Sequence, residues 1–198
     1  MAHLRRTEPR AIHHGWDDLH MVGQTDRRDA IRIYARLGLH PIIVHGLRAD
    51  GECTCGRPAC AARGKHPVLR AWQTMPLDVA ALDAMLISEW RYSVGLRMGA
   101  QPSGMHLVCL DVDGPRDLLT PLEAEHGALP PTLTARTGRG GQHLIYQIDP
   151  ALAPRNRVRL APGVDVRAEG GMIVAAPSRH ASGNRYEWLA VRQPEVLR

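Results

Sequence analysis

Seven short runs of apolar and β-branched residues in the C-terminal half of the chain, taken from residue 93 onward, constrain its fold more than any other feature. They lie at 93–98, 105–112, 133–137, 143–148, 164–167, 172–176 and 186–189. Runs of this length, bounded by turn residues, are typical of β-strands. The sequence therefore predicts that most of this half forms sheet.

Helices are predicted mainly in the first half. In two places an aspartate that can cap a helix precedes apolar residues at helical spacing, which predicts helices over 26–37 and 78–90. A buried strand is predicted between them over 40–45, and a third helix over 117–126. Because helices and strands do not alternate regularly, this order favours a mixed α/β fold of the α+β class over a doubly wound nucleotide-binding fold.

Composition excludes several other classes of protein. The 198 residues are 44% hydrophobic and 23% charged, which argues against a disordered or collagen-like chain. No apolar run of about 18 residues and no signal peptide is present, so we expect a cytoplasmic protein without a membrane partner. The net charge of +5 is a weak indication of a polyanionic partner. Residues 1–25 lack sustained apolar periodicity and predict a flexible arm before one domain over 26–198.

Three aspartates on predicted strands indicate a metal site. Asp111 and Asp113 end an apolar run, and the two-residue strand period places them on one face, about 7 Å apart. Divalent cations such as Mg²⁺ or Mn²⁺ neutralise such a pair, whereas the alternative is a turn in which aspartate bonds its own backbone. Asp165 lies in a similar run and shares its face with Arg167. Three carboxylates from two strands match a two-metal phosphoryl-transfer site, although Asp165 alone is also compatible with a surface strand.

Two loops carry groups that can bind phosphate. The glycine-rich segment 137–143 brings Arg139 and His143 next to backbone that can approach a phosphate closely, although an ordinary hairpin has the same pattern. The segment 177–188 contains Ser178 and His180 and ends in two aromatic residues. These aromatic residues are compatible with base stacking or with core packing.

A cysteine-rich loop over residues 53–66 predicts a zinc knuckle. Cys53, Cys55, Cys60 and His66 supply three thiols and an imidazole, a common ligand set for structural zinc. Free or redox-active thiols are the alternative, and His45 or a histidine of the N-terminal arm is an alternative fourth ligand. Disulfides are not expected in a cytoplasmic chain.

Taken in order, these segments resemble the bifunctional primase/polymerase domain of the archaeo-eukaryotic primase superfamily. The resemblance covers about residues 27–190. Its matching pieces are 34–38 (YARLG), the strand with Pro41, 64–67 (GKHP) with Trp72 after it, 93–99 (SVGLRMG), Gly104 followed by 111–113 (DVD), 129–132 (LPPT) with Thr137, 140–143 (GGQH), 164–167 (VDVR) and 177–188 (PSRHASGNRYEW).

The resemblance implies roles for particular residues. Asp111, Asp113 and Asp165 would bind the catalytic Mg²⁺ or Mn²⁺, and His143 would contact the triphosphate of the incoming nucleotide. Many superfamily members have serine where this chain has Gly141, and Ser178 is a candidate to replace that phosphate contact. The remaining candidate nucleotide contacts are Arg139, Arg167, Ser178, His180 and Lys65, the only lysine of the chain.

The resemblance also implies a fold and a function. The fold would be a primase-polymerase fold with an RRM-like catalytic sheet, a second small α/β lobe and the inserted zinc loop. The activity would be template-dependent transfer of a nucleotide from an NTP or dNTP to a 3′-hydroxyl during DNA replication. We therefore expect DNA template and primer, nucleoside triphosphates and a helicase domain or protein as partners. A DNA-binding zinc module without catalysis and a metal-dependent nuclease remain open as other classes.

Overall fold

The structure is a computed structural model that describes residues 15–152 and 154–197. In this part of the chain the α-helices are α1 (Leu19–Val22), α2 (Arg27–Arg36), α3 (Val79–Ser88) and α4 (Thr120–His126). The strands are β1 (Pro41–Val44), β2 (Ser93–Arg97), β3 (Gly99–Ala100), β4 (His106–Val112), β5 (Leu133–Arg136), β6 (Gln142–Ile148), β7 (Arg157–Ala161), β8 (Val164–Arg167), β9 (Met172–Val174), β10 (Glu187–Ala190) and β11 (Glu195–Leu197). Short 3₁₀ segments lie at Trp16–Asp18, Arg116–Leu119 and Pro150–Leu152.

The strands form a small sheet and a large one. The small sheet is antiparallel, with the order β1-β2-β9. The large sheet follows the antiparallel order β10-β5-β6-β4-β8-β7, while β3 pairs with β4 and β11 lies parallel to β6. A large antiparallel sheet combined with few helices confirms the predicted α+β class.

The two faces of the large sheet contact different cores. On one face, Cys109 and Ile145 belong to the main core, which also contains residues of α1, α2, α3 and the small sheet. On the other face, Val108 and Tyr146 belong to a second core. Because strand side chains alternate, Asp111 lies on the same face as Cys109. The large sheet therefore presents Asp111 on the side where the main core lies.

The predicted helices and strands form for the physical reasons that the sequence offered. The side chain of Asp26 accepts hydrogen bonds from two backbone N–H groups at the start of α2, and that of Asp78 caps α3 by accepting the backbone N–H of Ala81. The third predicted helix is a 3₁₀ turn that continues into α4. The sequence did not predict β3, β7 or β11, which are short or, in β7, mostly exposed. None of the helices in the described residues is long and apolar enough to cross a membrane.

The predicted flexible arm, residues 1–25, needs a correction over its second half. Residues 1–14 lie outside the described part of the chain. Residues 16–22 form a 3₁₀ turn followed by α1, in which Leu19 and Val22 are fully buried in the main core. Two apolar residues three positions apart face the same side of one helical turn, so even this short segment packs against the domain.

Candidate active site and metal centre

The centre of the candidate site is set by the register of three neighbouring strands. Asp111 of β4 lies directly opposite His143 of β6 on one side and opposite Asp165 of β8 on the other. Directly opposite residues of antiparallel strands share a face. The sheet therefore places two carboxylates and an imidazole in one row, although they are up to 54 positions apart in the sequence.

Arg167 connects the two carboxylates of this row. Its Nη2 atom lies 3.1 Å from Oδ2 of Asp111 and 2.8 Å from Oδ2 of Asp165. Nε2 of His143 lies 3.3 Å from the other oxygen of Asp111. Burial disfavours the charged form of Asp111, but its contacts with His143 and Arg167 outweigh that effect and lower the pKa of Asp111 to about 2. The row therefore contains a permanently ionised carboxylate at neutral pH.

Asp113 lies just beyond the end of β4. Its backbone N–H donates to the carbonyl of Gly163 at 2.8 Å, and its side chain is exposed. Asp111 and Asp113 both line a cleft of about 410 Å³, whereas Asp165 does not line it. Asp165 is connected to the cleft through Arg167, which does line it, and its second oxygen accepts the backbone N–H of Arg159. The lining residues are Lys65, Trp72, Asp111, Asp113, Thr137, Arg139, His143, Asn156, Arg167, Gly170, Gly171, Met172, Ile173, Val174, His180 and Tyr186.

The glycine-rich turn between β5 and β6 forms part of the cleft. Thr137 closes it, since its N–H donates to the carbonyl of Gly141 and its carbonyl accepts the N–H of Gly140. A Cβ atom at Gly141 would collide with the carbonyl oxygen of Val112, so the turn can lie against the end of β4 only with glycine at this position. A serine side chain at position 141 would not fit this backbone.

A hairpin over 178–186 packs against the same turn. A Cβ atom at Gly138 would collide with the side chain of His180, so glycine permits this close approach. The carbonyl of Gly138 accepts hydrogen bonds from Ser182 Oγ at 2.6 Å and from Asn184 Nδ2 at 3.0 Å. These contacts hold His180 in the wall of the cleft. Burial, followed by the charges of Lys65 and Arg139, lowers the pKa of His180 and favours its neutral form.

Tyr186 completes this wall as the last residue of the hairpin. Its ring stacks on His143, with centroids 5.9 Å apart and planes 26° apart, and meets His180 edge-on at 6.1 Å. Only 4% of its surface is exposed. Burial, with the negative charges of Asp111 and Asp113, raises the pKa of Tyr186. Its neutral ring therefore holds both imidazoles in place.

Ser178 does not line the cleft, contrary to the prediction that it contacts the nucleotide. Its side chain is fully buried, and its Oγ accepts the backbone N–H of Val94 and donates to the carbonyl of the same residue, both at 2.9 Å. The hydroxyl thus extends the pairing of the small sheet beyond β9. Because both hydrogen-bonding functions are engaged with β2, Ser178 has a structural role in this fold.

Thr137 is a cleft residue that sequence reasoning did not propose as a ligand. Its side chain is 8% exposed, and its Oγ1 has no hydrogen-bond partner among the described residues; Nδ1 of His143 is in the same condition. Buried polar atoms without partners are rare and often mark functional sites. Strand parity alone does not indicate Thr137, because its place beside His143 follows from the register in which Ala135, two positions earlier, pairs with His143. Trp72 and Asn156 also line the cleft and were not proposed.

The cysteine-rich loop brings the four predicted zinc ligands together. The ligand atoms of Cys53, Cys55, Cys60 and His66 all lie within 4.8 Å of one another. Nε2 of His66 is 3.4 Å from Sγ of Cys53 and 3.5 Å from Sγ of Cys60. A tetrahedral zinc ion would separate a sulfur and a nitrogen ligand by about 3.6 Å. The group therefore fits zinc in both chemistry and spacing.

His45, the alternative fourth ligand, has a different partner. Its Nδ1 lies 2.9 Å from Oγ1 of Thr54, and its ring packs against that of His66 at 4.4 Å. The histidines at positions 3, 13 and 14 of the arm lie outside the described residues. Residues 66–68 run beside the end of β1, because His45 N–H donates to the carbonyl of His66 and Val68 N–H to that of Ile43. This pairing fixes the end of the knuckle next to Lys65, which lines the cleft.

Comparison with known proteins agrees with this geometry. No curated protein matches the chain. A family model described as the N-terminal domain of bifunctional DNA primase/polymerase matches residues 10–197 and confirms the resemblance inferred from the motifs. Since that match spans nearly the whole chain, the protein belongs to the family of bifunctional DNA primase/polymerase N-terminal domains, which implies an enzyme of the nucleotidyltransferase type.

Proposed function

We propose that this protein extends or starts nucleic-acid strands on a DNA template, with the reaction taking place in the cleft beside Asp111. One observation carries the proposal: the ionised carboxylate of Asp111 lies in a cleft that also contains Asp113, His143, Arg139 and Lys65. This cleft combines acidic groups that can hold cations with basic groups that can hold phosphates. A template-dependent transferase of nucleotides needs both.

Asp111, Asp113 and Asp165 fit divalent cations by the chemistry of their donors, since carboxylate oxygens are the preferred ligands of Mg²⁺ and Mn²⁺. The guanidinium of Arg167 supports this fit, because it already places positive charge between Asp111 and Asp165. When bound, such cations neutralise charge on the attacking and leaving oxygens of the phosphoryl transfer. We therefore assign Asp111 and Asp113, which line the cleft, as the carboxylates that would hold the cation, with Asp165 as the third carboxylate that the resemblance implies.

The basic residues of the cleft would hold the nucleoside triphosphate. Lys65 and Arg139 provide positive charge from two different loops, and His143 adds an imidazole that is oriented by Asp111 and Tyr186. Thr137 supplies a hydroxyl whose hydrogen bond is still available. In the reaction, the 3′-hydroxyl oxygen loses its proton to solvent and forms a bond to the α-phosphorus, the bond from that phosphorus to the β,γ-diphosphate breaks, and pyrophosphate leaves. The basic residues stabilise the charge that grows on pyrophosphate.

The Cys53–His66 loop is proposed to bind structural zinc. Three thiols and one imidazole leave no open coordination position, which is typical of structural rather than catalytic zinc. The bound ion would hold the loop that presents Lys65 to the cleft. Participation in DNA replication together with a helicase, as the resemblance implies, is part of the same proposal.

A labelled primer annealed to a longer DNA template distinguishes this function from its alternatives. With all four dNTPs and Mn²⁺, the proposal predicts that the protein lengthens the label in a template-dependent manner. A nuclease would shorten it, and a DNA-binding zinc module would only retard it in a native gel. The assay is repeated with Mg²⁺ and with NTPs. If the label is only shortened or only retarded, and is lengthened under none of these conditions, the proposal is contradicted.

A further inference from the structure

Three arginines form a cationic cluster behind the hairpin that walls the cleft. Arg179 and Arg185 are directly opposite each other in an antiparallel bridge of this hairpin. Opposed residues in such a bridge have Cα atoms about 5 Å apart, so two like charges face each other across the strands. Arg27, the first residue of α2, is close enough for its electrostatics to be affected by both.

The cluster lacks acidic partners. Within residues 15–152 and 154–197, no ion pair shorter than 4 Å involves Arg27, Arg179 or Arg185. The nearest carboxylate in sequence, that of Asp26, accepts two backbone N–H groups as the cap of α2. Burial, followed by the charges of Arg185 and Arg179, lowers the pKa of Arg27, and Asp26 only partly opposes this effect.

Such an arrangement costs stability in the free protein. Like charges directly opposite each other on paired strands are destabilising. All three other arginines of α2, in contrast, have an acidic partner. Arg28 and Arg32 pair with Asp83, and Arg36 lies 3.5 Å from Asp18. Clustered arginines without acidic partners are typical of a phosphate-binding surface, because the guanidinium group matches the geometry of a phosphate.

The hairpin sets the position of the cluster relative to the cleft. His180 and Tyr186 line the cleft, whereas Arg179 and Arg185 lie at the positions of opposite parity. Strand alternation therefore directs the two arginines to the outer side of the hairpin. A nucleic-acid strand that lies along this outer side would pass next to the cleft wall without occupying the space for the nucleotide.

We propose that Arg27, Arg179 and Arg185 form a binding surface for the sugar-phosphate backbone of the single-stranded DNA template. This inference rests on the proposed function and adds to it the surface on which the template is held. A single strand is favoured over a free nucleotide because Arg179 and Arg185 lie on the outer side of the hairpin and do not line the cleft. The triphosphate has its own basic groups inside the cleft.

The test is equilibrium binding of a fluorescent single-stranded oligonucleotide to the double variant Arg179→Ala/Arg185→Ala at several salt concentrations. The slope of log K against log salt is negative, and each lost phosphate contact reduces its magnitude by about 0.7 for single strands. Loss of two contacts therefore reduces the magnitude by about 1.4. At 0.1 M salt this change in the slope corresponds to roughly 20-fold weaker binding of the oligonucleotide by the double variant. Affinity for a fluorescent dNTP analogue should stay within two-fold of the wild-type value.

Arg32→Ala/Arg36→Ala is the matched control, since it removes two exposed, ion-paired arginines of α2 and the same net charge. We expect it to leave the salt slope unchanged. Thermal melting adds a further readout, because removal of the opposed pair should leave stability unchanged or raise it while DNA binding weakens. If wild-type protein binds DNA and the two double variants behave alike, the surface is wrong and the proposed function stands. If wild-type protein binds no DNA, both proposals fail.

Discussion

Replacement of Ser178 by alanine should destabilise the fold and leave nucleotide binding unchanged. The fully buried hydroxyl makes two hydrogen bonds of 2.9 Å with the backbone of Val94. Each such bond contributes about 1 kcal/mol net, and the N–H of Val94 becomes a buried donor without its partner. The carbonyl of Val94 keeps a second bond, from the N–H of Ala175. We therefore expect a loss of about 2–3 kcal/mol in the free energy of unfolding.

Urea denaturation followed by circular dichroism measures this loss, and thermal melting should show a fall of roughly 5–10 °C in Tm for a domain of this size. Ser88→Ala is the control, because Ser88 is exposed on α3 and its hydroxyl bonds only the carbonyl of Met85. Its effect should stay below about 0.5 kcal/mol. If Ser178→Ala keeps wild-type stability and instead raises the KM for nucleotide, Ser178 is a nucleotide contact and its structural assignment is wrong.

Four other predictions concern the cleft and the knuckle. Thr137→Val should raise the KM for dNTP about ten-fold, which is the cost of losing one hydrogen bond to a charged group. Thr134→Val is the control, because the hydroxyl of Thr134 bonds a carbonyl outside the cleft, and equal KM values for the two variants would remove Thr137 from the site. Lys65→Arg should weaken nucleotide binding although the charge is kept, because the guanidinium has a different shape, and an unchanged Kd would contradict this role. Purified protein should contain one equivalent of zinc, and Cys53→Ser should lower both the zinc content and Tm. Less than half an equivalent of zinc in wild-type protein would contradict zinc binding by the Cys53–His66 loop. The pKa of Asp111 is depressed to about 2, so in EDTA its contribution to the free energy of unfolding should be present above about pH 4 and lost as pH falls through about 2. Asp111→Asn should remove this pH dependence, and identical acid unfolding transitions of variant and wild type would refute the prediction.

Strand parity within the sequence was enough to predict part of the site. Asp111 and Asp113 were expected on one face because side chains alternate along a strand, and both line the cleft. The same local argument predicted the caps of α2 and α3. These features depend on residues close together in the chain, which is why a single sequence contains them.

The remaining features depend on contacts between distant segments. Nothing in the sequence sets β8 in register with β4, so the link from Asp165 through Arg167 to Asp111 could not be foreseen. Ser178 and Thr137 have similar buried hydroxyls, and only the docking of the hairpin and the turn decides that the Ser178 hydroxyl is bonded to Val94 while that of Thr137 has no partner among the described residues. The strand β7 was missed because its exposed first half, Arg157–Arg159, has two arginines around a single apolar residue and so gives only a weak apolar signal.

The most direct test of the account is the single-turnover rate of primer extension by Asp111→Asn, compared with wild-type protein and with Asp117→Asn. Asp117 is an exposed aspartate of the 3₁₀ turn after β4 and does not line the cleft. The account predicts that Asp111→Asn lowers the rate at least about 100-fold while DNA binding stays close to wild type and the protein remains folded at the assay temperature, although it loses the stability that the ionised carboxylate contributes at neutral pH. Asp117→Asn should have no effect on the rate. Extension by a folded Asp111→Asn protein at the wild-type rate would contradict the assignment of this cleft as the site of nucleotide transfer.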